Sequence, residues 1–308
     1  MEATFSVVEA AGCHPDPLAV VLGAVGARHG VPVRTSRRRP AAALPVAFGA
    51  AHRFLLFVVS TVLLSAASGL SCPRDQAPAS QLPRRVDPQA QQILDRVIRA
   101  IGGEAFLHVK TLTTRGRVFA IRDETTSGLE NFQSWVEYPD KRRFSYGKEK
   151  PVILINNGEK GWEIDRYGLI DQPAEQVRRW VASNRYSVEN LLRLRINEPG
   201  VLIQARGGDF VDNVPTQVIE ITGAGEPTVR VDFNRHTALP IRITYEVRNP
   251  KTGDSDDYAD SYADYKEYDG IQTPMHITRY MNGERVGETF RNFANYNESY
   301  PAKYFVAE

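Results

Sequence analysis

Cysteine is nearly absent: Cys13 and Cys72 are the only two in 308 residues, which excludes a disulfide framework and a multi-cysteine metal site. Everything after Cys72 lacks a thiol, so nucleophilic cysteine chemistry is excluded there. An excess of one charge is lacking too. With 38 Lys+Arg against 37 Asp+Glu, the electrostatic footprint of a nucleic-acid binder is missing. Histidine is scarce after residue 71, where only His108, His236 and His276 occur. No two are spaced as helical metal ligands, and the metalloprotease helix pattern is missing. Gly223 and Gly225 lack the third glycine of a dinucleotide loop, and this part of the chain has no Gly-x-Ser-x-Gly elbow. No catalytic residue, cofactor or metal is therefore expected, and the protein reads as non-enzymatic.

What is present begins with a targeting pattern. Phe54 to Leu64 is an uncharged apolar run preceded by His52 and Arg53 and followed by Ser65, Ala66, Ala67, Ser68 and Gly69. A basic start, short apolar core and small-residue exit make a secretory signal over 46–71, since a membrane span needs about 20 apolar residues. Residues 1–45 are rich in Ala, Gly, Pro and Arg and read as a disordered or mis-assigned extension, with a start near Val46 as one account of it. Residues 72–86, carrying Pro73, Pro78 and Pro83, read as a tether. Residues 87–308 then form one domain. Cys72, directly after the signal, leaves two outcomes open: ordinary cleavage, or diacylglyceryl attachment that anchors the protein to a membrane.

Within the domain, Asp87 and Pro88 predict a capped helix start, and Ile93, Leu94, Val97, Ile98 and Ile101 recur at helical spacing until Gly102 and Gly103. Alternation then predicts strands at Thr111 to Ile121, Phe132 to Tyr138, Arg142 to Tyr146 and Val152 to Ile155, the last running into the turn signal Asn156-Asn157-Gly158. Val177, Trp180, Val181, Leu191, Leu192 and Leu194 predict two helices, the second capped by Ser187. Seven further strands follow between Val201 and Tyr296, separated by turn residues such as Gly223-Ala224-Gly225, Asn249-Pro250 and Asn282-Gly283. The fold class is α+β, mainly β: a single wrapped antiparallel sheet of ten or eleven strands in meander order. No βαβ alternation occurs.

Two charged clusters read as surface. Asp254, Asp256, Asp257 and Asp260 lack the central glycine of a calcium loop, and Tyr265 stands where its bidentate Glu would fall, so a solvated hairpin is expected. Lys141, Arg142, Arg143, Lys148 and Lys150 read as an exposed hairpin, with anionic lipid headgroups as a second reading. The aromatic and aliphatic supply exceeds what a thin sheet needs, and a sheet curled around helices can hold an apolar ligand on its concave side.

Trp135-Val136-Glu137-Tyr138-Pro139, then Arg143-Phe144, Val152 to Asn156, Asn157-Gly158 and Trp162, with Ile164-Asp165 after it, resemble periplasmic lipoprotein carriers of the LolA/LolB-like superfamily. Asp232, Leu239-Pro240-Ile241-Arg242, Asp269-Gly270-Ile271 and Pro274 resemble that family's later strand ends and turns. The resemblance implies an unclosed half-barrel of about eleven strands with helices covering the concave side. It also implies outer-membrane lipoprotein sorting or a related lipid-binding task in the periplasm. The expected partners are an acyl chain or lipoprotein and a membrane-anchored protein, with no nucleic acid and a monomeric state. Phe119, Trp135 and Trp162 are the expected hydrophobic lining. Tyr138 departs from the pattern, since the family's carriers place there an Arg that helps to hold the lid, and Asn157 replaces the usual Asp of the turn. A protein-interaction or sensor module on the same scaffold is the alternative.

Overall fold

A computed structural model describes residues 82–248 and 253–307, all within one compact unit. The extension 1–45, the signal 46–71, Cys72 and the Asn249-Pro250 turn lie outside the described residues. The chain enters through a short strand, β1 (Arg85–Val86), and a helix, α1 (Pro88–Ile101), continued by a single turn, α2 (Glu104–Leu107). A first meander follows: β2 (Thr111–Arg122), β3 (Thr125–Glu137), β4 (Lys141–Tyr146), β5 (Val152–Asn157), β6 (Lys160–Asp165) and β7 (Gly168–Asp171). Two helices, α3 (Ala174–Arg185) and α4 (Val188–Arg193), lead to a second meander. Its strands are β8 (Leu202–Val211), β9 (Val214–Thr222), β10 (Val229–Asn234), β11 (Pro240–Arg248), β12 (Ser255–Tyr268), β13 (Ile271–Met281) and β14 (Glu284–Tyr296).

The meanders join into one sheet because β14 pairs with β2, giving the order β1-β8-β9-β10-β11-β12-β13-β14-β2-β3-β4-β5-β6-β7. β1 runs parallel to β8 and the other neighbours are antiparallel. β1 and β7 remain edges, so the sheet is an open half-barrel, as the sequence implied. Fourteen strands exceed the expected ten or eleven. The additional ones are β1, β6 and β7: β7 is exposed at all four residues and shows no alternation, and β6 is interrupted by Gly161. β1 lies at the end of the expected tether, where Arg85 N donates to Val201 O and Gly200 N to Leu82 O.

Local chemistry sets the turns and helix ends. The Asp87 side chain accepts from Gln89 N at 2.9 Å and caps α1, satisfying a donor with no intrahelical partner. At the other end Gly102 has φ 151°, and a Cβ there would stand 2.6 Å from Gly270 O, so only glycine lets α1 meet the β12–β13 turn. Asn282 and Gly283 both have positive φ (53° and 82°), as a two-residue hairpin requires.

The main core lies where α1 crosses the second meander. Ala90, Ile93, Leu94, Val97 and Ile101 form its buried stripe and join Leu191, Leu192, Ile203, Ile219, Ile221, Val231 and Phe233 in one apolar cluster. A smaller cluster of Val118, Ala120, Phe132, Phe144, Tyr146 and Leu154 lines the inner face of β2 to β5. That face is covered by α3 and α4.

Candidate binding site: two spaces flanking one helix

α3 buries only Gln176 and Trp180 of its twelve residues, too little for an ordinary core helix. Its sides explain why. Trp180, Ser183 and Asn184, at helical spacing, face a partly open inner chamber of about 180 Å³ against β2, β3, β4, β12, β13 and β14. Ala174, Val177, Arg178, Val181, Ala182 and Arg185 face an outer groove of about 920 Å³, whose opposite wall is the β5–β6 turn, Trp162, Asp171 and Val247 of β11. α3 therefore divides an interior space from a surface one.

The helix is fastened at both ends. Before it, Gln172 accepts from Asn156 Nδ2 at 2.8 Å and donates through Nε2 to Trp162 O at 3.0 Å. Gly161 leaves room for this, since a Cβ there would come within 2.4 Å of Gln172 Oε1. After it, Asn184 Nδ2 and Asn190 Nδ2 converge on Pro139 O at 2.8 and 2.7 Å. Arg185 reaches Glu198 and Glu226 at 2.8 and 2.7 Å, and the buried Arg195 joins both carboxylates. Ser187 caps α4 as expected, accepting from Asn190 N. Tyr138, in the position where the resemblance expects Arg, packs against the Arg193 guanidinium at 4.6 Å instead. The two asparagines tie this end of α3 to Pro139.

The chamber is not a plain apolar hollow. Leu112, Phe132, Val136, Phe144 and Ile277 share its wall with Arg142, Arg279, Arg291, Asp260 and Glu189. Asp260 binds Arg279 through two hydrogen bonds of 2.8 and 3.0 Å. Burial works against the Arg279 charge but is outweighed by this carboxylate, which holds its pKa above the ordinary value. Burial raises the Tyr138 and Tyr262 hydroxyls well above their ordinary pKa, with Glu189 adding to Tyr138 and Asp260 to Tyr262.

Of the three aromatic residues expected to line a cavity, Trp162 borders the groove. Phe119 alternates with the inward Val118 and Ala120 and meets Phe290 edge to face at 5.5 Å. Trp135 lies between the chamber-lining Ser134 and Val136 and packs edge to face on Tyr304 at 5.5 Å. These two rings stand on the convex side because successive strand residues point to opposite faces. The charged clusters also divide. Arg143 points outward to Tyr304 at 5.6 Å, while Arg142 enters the chamber. Asp260, expected at a solvated hairpin, is buried. A signal for both existed: Arg142 shares its strand face with Phe144 and Tyr146, and Asp260 shares its face with Tyr258 and Tyr262. Glu189 and Arg291 had no comparable signal.

An open half-barrel with a covering helix and a space on either side of it is the class that this geometry defines. No protein-family model and no curated protein matches the chain. Solved structures similar to it include a LolA superfamily protein from Nitrosomonas europaea, 16% identical over 71% of this chain and 97% of that one, TM-score 0.45. A DUF1329 family protein from Desulfovibrio piger is 10% identical over 70% and 97%, TM-score 0.46. An outer membrane lipoprotein-sorting domain from Vibrio parahaemolyticus is 10% identical over 70% and 97%, TM-score 0.44.

Proposed function

We propose that this is a non-enzymatic, exported envelope protein that holds an acyl chain, free or carried by a lipoprotein, in the groove beside α3. The observation that carries this reading is the groove itself. Its volume of about 920 Å³ falls in the roughly 300–1,000 Å³ range of ligand sites, and Val177, Val181, Ala182, Trp162 and Val247 give it apolar walls. At about 0.8 kcal/mol per buried CH₂, covering five methylenes contributes about 4 kcal/mol before association costs. Lys160 and Arg178 in its lining offer cations to an anionic headgroup, beside the carboxylates of Glu159 and Asp171. Residence in the periplasm, either free after cleavage or anchored through Cys72, and a monomeric state complete the proposal, with a membrane-anchored protein as the partner that delivers or receives the cargo.

The second reading, a protein-interaction or sensor module without lipid cargo, is favoured by one feature. The β6–β7 edge displays Tyr167, Leu169 and Ile170, the first 79% exposed. Such an apolar edge accepts another chain readily. Organic extraction of the purified protein followed by mass spectrometry, together with titration by a fluorescent fatty acid, separates the readings. Bound lipid or saturable uptake near one chain per protein is expected; lipid-free protein with no uptake establishes the module instead.

A further inference from the structure

The charges of the inner chamber do not balance. Three guanidinium groups, Arg142, Arg279 and Arg291, face two carboxylates, Asp260 and Glu189. Arg279 is paired with Asp260. Arg291 donates from Nη1 to Pro274 O at 3.2 Å, and its buried Nε has no partner. Arg142 makes one long hydrogen bond, Nη2 to Asn156 Oδ1 at 3.4 Å, and lies 5.6 Å from the Phe144 ring. Its Nε is likewise buried without a partner, and among the described residues it forms no ion pair. Arg142 and Arg291 are each half-buried, and withdrawing part of a cation from water without a counter-ion is costly, a cost that an anion in the chamber would offset.

We propose that the chamber is an oxyanion site that takes one carboxylate or phosphate group against Arg142 and Arg291, with the Thr114, Ser134 and Thr289 hydroxyls as further donors. All five residues line the same space. Guanidinium forks match the geometry of both oxyanions, and hydroxyls turn to donate wherever an acceptor is placed. At about 180 Å³ and partly open, the chamber has room for a headgroup with a few waters. The site thus goes beyond acyl binding in the groove and stands without it. Burial first, and then the like charge of Arg279, lower the Arg142 pKa to about 9, which leaves it cationic at neutral pH. Glu189 on α4 is the opposing charge, and its neutralisation strengthens the site.

Two sources share this chemistry, a free oxyanion and the head of a fatty acid, so the full chain is titrated calorimetrically with inorganic phosphate, acetate and laurate. Saturable binding of phosphate or acetate is expected, weakened at least tenfold in Arg142→Met and tightened in Glu189→Gln. If laurate binds at least tenfold tighter than acetate and Arg142→Met weakens both, the ligand is a fatty-acid head; if the two bind alike, it is a free anion. In the wild-type protein the Arg142 Nε–H resonance should shift selectively during the phosphate or acetate titration, a readout that does not require any variant to fold. Silence of phosphate and acetate, or binding that leaves that resonance and Arg142→Met unaffected, overturns the site. Uptake of laurate that is indifferent to Arg142→Met supports the groove alone and also overturns it.

Discussion

The two halves of the concave face are closed by helices of opposite character. α1 brings a continuous apolar stripe to the second meander, where Leu94 and Val97 join Ile203, Ile219 and Val231 in one apolar cluster. α3 brings only Gln176 and Trp180 into burial, and beneath it remain a chamber with five charged side chains and, beside it, a wide groove. One sheet therefore carries a dry half that supplies cohesion and a wet half that has space to offer. The filling follows the covering helix rather than the strands, because β2 to β4 still present Leu112, Phe132 and Phe144 inward.

The largest expected effect comes from alkali, which acts where the halves meet. Tyr138, Tyr262 and Tyr265 are held well above their ordinary pKa, and Tyr296 is pushed up to about 12, burial being the first cause in each. Their neutral forms are favoured by the fold, so this contribution is fully present below pH 10 and is lost as pH rises through the folded values. The unfolding midpoint should fall steeply above pH 10, in step with tyrosinate absorbance. Tyrosines that titrate at pH 10 with the fold intact would show that the boundary is already open to water.

Next are paired truncations, one in each half. Leu94→Ala, at a residue 1% exposed, should cost about 3 kcal/mol, within the usual range for a buried leucine. Trp180→Ala removes a larger side chain but beside an existing space, so about 2 kcal/mol is expected, with faster amide exchange confined to α3 and α4. Denaturant unfolding and hydrogen exchange check both, and equal costs with global exchange would erase the distinction between the halves. Smaller and of opposite sign, Arg142→Met should stabilise by about 1 kcal/mol in the absence of any anion, because it removes a half-buried cation whose Nε is buried without a partner. A lower melting temperature would mean that Arg142 is better satisfied than its contacts show. Smallest is Arg206→Ala at the exposed Arg206–Glu220 pair, expected within about 1 kcal/mol by the same denaturant measurement.

The dry half was legible because its signals are local. Asp87, the stripe from Ile93 to Ile101 and Gly102 describe α1 with its cap, face and exit, and Asn282-Gly283 fixes a hairpin. Turns such as Asp123-Glu124, which hold positive φ of 49° and 57° without glycine, carry no such signal. The site was less legible for two reasons. Alternation says that Phe119 and Val118 face opposite ways, but which face is concave depends on where α3 lands, and that is a long-range fact. Charge read by exposure also misleads: Lys141, Arg142 and Arg143 read together as an exposed hairpin, although a strand must send its middle residue to the other side. The groove combines the β5–β6 turn, α3 and Val247, segments that no local pattern brings together.

Photo-crosslinking with a diazirine-bearing fatty acid, followed by peptide mapping, tests most directly whether α3 borders the lipid space. The account predicts labelling of peptides containing Val177, Val181 and Val247, abolished by Val177→Trp while the melting temperature holds. Labelling confined to the convex aromatic residues Phe119 and Trp135, or labelling that Val177→Trp leaves unchanged, would contradict it.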